Sequence, residues 1–171
     1  MEAKDEQMEE GAAHVMRGEG RSMWIFGELV TYKVTAEQTG GAYSLFEVVT
    51  RPGGGPPPHV QHREDEAFYV LEGEYEFVVE GRTINAGAGS LIYVPNGNLH
   101  SYENAGEKPG RMLIIQTPGG LSEGFFGEIG QPAADGSWPP GSEGSQDMGK
   151  IAAIAAGYGI EIPPPPVGRA T

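Results

Sequence analysis

Between residues 24 and 117 the chain repeats one theme: short runs of β-branched, aromatic and aliphatic residues, each closed by a glycine-centred turn. No helical period interrupts this stretch. Leu29–Thr35 and Tyr43–Thr50 alternate in polarity with period two, and a Thr39-Gly40-Gly41 turn lies between them. Further strand-type runs follow at His59–His62, Ala67–Leu71, Tyr75–Val79, Arg82–Asn85, Leu91–Val94, His100–Glu103 and Arg111–Thr117. Turn signals recur at roughly the 8–12-residue spacing of an all-β sandwich or barrel. Pro52–Pro58 is a stiff connector, because consecutive prolines fix φ and donate no ladder hydrogen bonds.

Outside this stretch the pattern is different. Residues 1–23 read as a flexible acidic N-terminal segment, in which Glu2, Asp5, Glu6, Glu9 and Glu10 could share one face of a short helix. Residues 119–171 read as a C-terminal extension. Leu121–Gly130 predicts a short helix with Ser122 as its cap, and Asp147–Tyr158 predicts a second. Gln131–Gln146, which contains Trp138, reads as a loop, and the proline run near the end as extended chain.

Composition narrows the function. The net charge is −13, from 24 acidic and 11 basic residues. Phosphate backbones and anionic lipid surfaces need a basic face, so neither nucleic acid nor a membrane is an expected partner. No apolar run reaches the roughly 20 residues of a membrane helix. The polar N-terminus does not look like a secretion signal. Cysteine is absent, which excludes disulfides and thiolate chemistry. These features together fit a cytoplasmic protein.

Three of the four histidines fall in two segments, PHVQHREDEAFYVLEG (58–73) and GSLIYVPNGNLHSYEN (89–104). Along a strand, residues i and i+2 share a face. His59 and Gln61 therefore point one way, and Val60 and His62 the other. Glu66 opens the next strand-type run, with Phe68 and Val70 on its face. The polar connector before it lets its carboxylate turn back toward His59. In that connector Glu64 and Asp65 read as solvated turn residues, with Arg63 as their surface partner. The Pro95-Asn96-Gly97 turn positions His100. Two imidazoles and one carboxylate suit a divalent transition metal. His14 receives no role.

These two segments resemble the paired motifs of the cupin superfamily. A glycine start, His59, position 61, Glu66 and Gly73 match the first motif. Gly89, Pro95, Gly97, His100 and Asn104 match the second. The resemblance covers about residues 25–118. The runs around REDEAFYVLEGE and PGGLSEGFFGEIG are further similar to small single-domain cupins of the quercetin-dioxygenase-like kind. The resemblance implies an all-β fold, an antiparallel jelly-roll barrel over residues 24–118 with short C-terminal helices. It also implies a homodimer, and metal ligands at His59, position 61, Glu66 and His100. The family has histidine where this chain has Gln61. That side chain could ligate through Oε1, hydrogen-bond a metal-bound water, or leave a site poor in metal. Iron, manganese, nickel and zinc are the candidate ions.

Parity places Phe68, Val70 and Tyr102 on the pocket wall, with Met112 and Ile114 as further lining residues. Asn104 shares the parity of His100 and Tyr102, while Tyr32, Tyr43, Phe77 and Gln116 are, like Met112 and Ile114, weaker candidates. Residues 119–160 are expected either to cover the barrel mouth, with Phe125, Phe126 and Trp138 buried there, or to form a dimer contact. A small, largely apolar organic molecule is the expected ligand. The leading expectation is a metal-dependent dioxygenase in which Glu66 also accepts a substrate proton. The alternative is a non-catalytic module that binds a small molecule beside a weak or empty metal site. A third option, an isomerase or lyase on a small oxoacid, needs a cationic anchor that the motifs lack.

Overall fold

The computed structural model describes residues 11–134 and 146–166. The five N-terminal acids and Trp138 fall outside that range. The first strands are β1 (Ser22–Ile25), β2 (Glu28–Val34), β3 (Ser44–Thr50), β4 (His59–Gln61) and β5 (Asp65–Glu72). Next come β6 (Glu74–Val79), β7 (Arg82–Gly87), β8 (Leu91–Val94), β9 (Leu99–Asn104) and β10 (Gly110–Thr117). The chain ends with α1 (Leu121–Ile129), β11 (Gln131–Pro132), α2 (Met148–Gly157) and β12 (Ile160–Glu161).

The strands form two antiparallel sheets with orders β11-β1-β2-β3-β10-β5-β8 and β12-β4-β9-β6-β7. Among the described residues no hydrogen-bonded strand pair joins one sheet to the other. The expected all-β antiparallel fold with short C-terminal helices is present, but its two sheets are not closed into a barrel. One physical reason lies at the sheet edges. The outer edge of β4 is taken by β12, and that of β1 by β11, both from the C-terminal extension. Those backbone groups are already paired and cannot close the sheets on each other. Neither two-residue strand was expected, since two residues carry no detectable period. Pro132 donates no hydrogen bond, and it sits in an edge strand, where that is tolerated.

The burial pattern of β3 alternates strictly, with Ser44, Phe46, Val48 and Thr50 inward. The same alternation places Glu66, Phe68 and Val70 of β5, and Gly110, Met112, Ile114 and Gln116 of β10, inside. The core packs Phe46, Val48, Phe68, Val70, Phe77, Met112 and their neighbours between the sheets. Full burial of each such side chain contributes about 1.5–3 kcal/mol. A smaller cluster of Phe125, Ala155 and Ile160 attaches both helices to one end of the sandwich. Asp147 caps α2, its side chain accepting from the Lys150 amide. Ser122 does not cap α1: Gly120 occupies that position with φ at 109°, and Ser122 lies buried inside the helix. Among the described residues no helix is long and apolar enough to cross a membrane.

Two backbone features shape the site. Phe26 and Gly27 both have positive φ, 50° and 76°, in the two-residue turn that brings Ile25 opposite Glu28. Positive φ at both central residues marks a type I′ hairpin. A bulky residue rarely adopts that conformation, and here it sits on the cavity wall. At Gly55 a Cβ would run into the Tyr102 carbonyl. Glycine there lets the proline connector pass directly against β9.

Candidate metal centre

Two cross-strand pairs, one from each sheet, build the site. His59 of β4 is registered opposite His100 of β9. Glu66 of β5 is registered opposite Gln116 of β10. Facing each other between the sheets, these pairs bring ligand atoms of His59, Glu66 and His100 within 4.8 Å of one another. Glu66 Oε2 lies 2.6 Å from His100 Nε2 and 3.8 Å from His59 Nε2.

The far nitrogens orient both rings. His59 Nδ1 is 2.9 Å from the Pro57 carbonyl, and His100 Nδ1 is 2.9 Å from the Asn98 carbonyl. A carbonyl only accepts, so each Nδ1 carries the proton. In the neutral rings each Nε2 is then a bare lone pair aimed at the carboxylate. The other Glu66 oxygen, Oε1, accepts from Gln116 Nε2 at 2.9 Å. Three acceptor atoms thus converge in a nearly dry place, with Glu66 4% exposed and His100 1%. Glu66 Oε2 and His100 Nε2 have no hydrogen-bond donor between them unless the imidazole takes a second proton. A shared divalent cation removes the conflict. Backbone carbonyls that fix ligand tautomers are the usual outer support of metal-bound histidine. The N, N, O donor set fits iron, manganese, nickel or zinc.

Without a cation, the alternative partner of the carboxylate is a His100 imidazole carrying a second proton. Burial pushes the Glu66 carboxyl up, but hydrogen bonds from His100 and His59 outweigh it and hold it well below the usual carboxylate range. Burial alone would lower the His100 imidazole, and the adjacent Glu66 carboxylate instead raises it.

Turns and a remote carboxylate fix the strands. Asp65 Oδ1 accepts from the Asn96 backbone N–H at 2.8 Å and its side-chain amide at 2.7 Å. The Gly97 N–H donates to the Gln61 carbonyl at 2.8 Å. The turn before His100 is therefore bonded to both motif strands of the first segment. Asp65 is engaged rather than simply solvated, and Glu64 is fully buried, a correction to its expected place in solvent. Glu64 Oε1 accepts from the Leu121 and Ser122 amides at 3.0 and 3.2 Å, and Oε2 accepts from Ser122 Oγ at 2.6 Å. It supplies the cap that Gly120 cannot, and the orphan amides of the helix explain its burial. Burial raises its carboxyl above the usual range, opposed by those Ser122 bonds. Arg63 is not its partner; its stem lies over Gly159.

Gln61 is 5% exposed and lines the cavity. Its Nε2 donates to Ser122 Oγ at 3.3 Å, so Glu64, Ser122 and Gln61 form one chain of hydrogen bonds. Replacing Glu64 with alanine leaves two amides and a hydroxyl without a partner and loosens Gln61. Urea unfolding is expected to show a loss of about 2 kcal/mol, and an unchanged midpoint would contradict this role. His62 points outward and pairs with Glu161 at 2.7 Å.

Beside the centre runs a narrow cavity of about 50 Å³ that opens to solvent at its mouth. Phe46, Phe68, Tyr102, Ile114 and Gln116 line it, with Phe125, Phe126, Ile160 and Ile162 from the C-terminal extension. Val70 and Met112 are corrected to core residues. They share the right face but sit further along β5 and β10, beyond the cavity wall. Tyr32, Phe77 and Asn104 also pack away from it, and Tyr43 is on the surface.

One polar wall residue was not anticipated. Glu28 is 4% exposed and lines the same cavity. Its Oε1 accepts from Thr50 Oγ1 at 2.6 Å, and Tyr102 Oη donates to Oε1 and Oε2 at 3.1 and 3.0 Å. Burial, only partly offset by Thr50 and Tyr102, raises its carboxyl to about 7. The available signal was parity: Glu28 shares the inward face of β2 with Val30 and Tyr32.

Residues 46–116 match the cupin domain family. That segment is a cupin domain, set in a cupin-like fold. It is 27% identical over 115 residues to a quercetin 2,3-dioxygenase of Bacillus subtilis, covering 67% of this chain and 34% of the relative. It is 36% identical over 87 residues to a germin-like protein of Arabidopsis thaliana, covering 46% of this chain and 40% of the relative. The chain thus spans less than half the length of these curated relatives. Among solved structures, the polyketide cyclase RemF of Streptomyces resistomycificus superposes with a TM-score of 0.56 at 24% identity. That overlap covers 63% of this chain and 80% of RemF, and it shows the fold.

Proposed function

We propose that this cupin holds a divalent transition metal at His59, Glu66 and His100 and acts as a dioxygenase-type enzyme on a small, flat, largely apolar molecule. One observation carries the reading: two imidazole lone pairs and a carboxylate oxygen converge with nothing to neutralise them. The bound metal would supply Lewis acidity and, when redox-active, an electron route to dioxygen. The protein's own contribution is placement. The two Nδ1–H···O=C bonds and the Gln116 amide hold the three donors in register. Phe46, Phe68, Phe125 and Phe126 form an aromatic slot that excludes water and suits a planar ring system. Similarity to a quercetin 2,3-dioxygenase supports a phenolic or enolic substrate class.

A second reading has its own observation. Gln61 stands where an imidazole would complete the donor set; its Nε2 donates to Ser122, which leaves only the amide Oε1, a weaker donor than imidazole, for a metal. On that basis the chain is a binding module whose metal site is weak. Elemental analysis of protein purified without added metal, followed by oxygen uptake with a flavonol panel, separates the two. The enzyme reading expects about one metal per chain and uptake with at least one flavonol. Fully loaded protein that consumes no oxygen rejects the dioxygenase. A melting temperature that rises with flavonol but not with metal supports the module.

A further inference from the structure

Glu28 is a buried carboxylate with no cationic partner among the described residues, on the wall of a cavity meant for a ligand. A carboxylate in such a place without counter-charge is expensive to keep ionised. Its surroundings nevertheless stabilise the anion. Tyr75 Oη donates to Thr50 Oγ1 at 3.2 Å, and Thr50 Oγ1 in turn donates a hydrogen bond to Glu28 Oε1 at 2.6 Å. Tyr102 adds its hydroxyl. Each oxygen of a carboxylate can accept about two hydrogen bonds, and Oε2 receives only the shared Tyr102 proton. Capacity therefore remains on Glu28 for a donor arriving from the cavity. Glu66 is differently placed, with Oε1 occupied by Gln116 and Oε2 turned to the histidines.

We propose that Glu28 is the proton acceptor of the cavity, taking the hydroxyl proton of a phenolic or enolic ligand whose other end lies at the His59–Glu66–His100 centre. The step balances simply. The ligand O–H bond breaks, a Glu28 O–H bond forms, and the electron pair stays on the ligand oxygen as a phenolate or enolate. This assignment rests on the substrate class proposed above, and it gives Glu66 the role of ligand rather than base. Tyr102 and, through Thr50, Tyr75 face Glu28, and Glu66 lies across the same cavity. The carboxyl titrates near 7. It is therefore ready to accept a proton above that pH and already carries one below it.

Proton counting tests the proposal without reading turnover. Metal-loaded protein is titrated with quercetin at pH 8 under nitrogen, by calorimetry in buffers of different ionisation enthalpy. Absorption spectra report the ionisation state of the ligand. The wild type is expected to bind the flavonolate and release close to no proton, because Glu28 retains it. Glu28→Gln is expected either to release one proton or to bind neutral quercetin, with roughly 10- to 100-fold weaker affinity. Equal proton counts and equal spectra in the two proteins overturn the proposal, as does a wild type that binds no flavonol between pH 5 and 9. Should Glu28→Gln not fold, Glu28→Asp is measured in its place. It is expected to move the pH midpoint of the proton count, and an unmoved midpoint overturns the assignment. Because dioxygen is excluded, loss of the dioxygenase reading alone leaves the proton count unaffected.

Discussion

His100→Ala is expected to strip the centre of its metal while leaving the sheets folded. The ring is 1% exposed. It supplies the ligand nitrogen nearest to Glu66, at 2.6 Å, and its Nδ1 is fixed by Asn98. Outer partners of metal ligands are worth roughly 10- to 100-fold in affinity. Deleting a ligand itself should cost more than that. Competition titration against a coloured chelator, with elemental analysis alongside, measures the loss. Circular dichroism distinguishes it from unfolding. Stoichiometric metal in the variant would remove His100 from the donor set and leave only His59 and Glu66, too few for the proposed chemistry.

Phe77→Ala is expected to cost about 3–5 kcal/mol. Phe77 is fully buried on β6. Its ring meets Phe68 at 5.2 Å and Tyr102 at 5.4 Å between centroids. Aromatic pairs of this geometry add to simple area burial. Domains of this kind are typically stable by about 5–15 kcal/mol, so the loss is a large share of the total. Denaturant unfolding provides the measurement. Phe77 lies behind Phe68 and Tyr102, outside the cavity lining. A cost below 1 kcal/mol would mean that the space collapses and that these rings are not a rigid backing for the site.

How much of this was legible beforehand depends on how far apart in sequence the cause lies. Period-two alternation is local, so the inward faces of β3, β5 and β10 could be read directly. The shared side of His59 and Gln61 and the outward turn of His62 followed from the same rule. The meeting of His59, Glu66 and His100 needed cross-strand register, which the paired motifs supplied through resemblance. Depth along a strand is not encoded in parity. Val70 and Met112 therefore carried the right face and the wrong level. Glu64 is a second kind of miss. Its neighbours are all polar, and only the arrival of α1, with unpaired amides at Leu121 and Ser122, makes burial favourable. Glu28 was passed over because the β2 run was begun one residue late, at Leu29. β11 and β12 are held by partners far away in the chain, and nothing within two residues announces them.

The pairing of β12 with β4 ties two events together. Ile160 sits on the cavity wall, and the same residue is registered against Gln61, two positions from His59. Any widening of the slot on that side must break hydrogen bonds to the strand that carries His59. Access to the cavity and the placement of the His59 ring are thus mechanically joined. β12 acts as a latch on both.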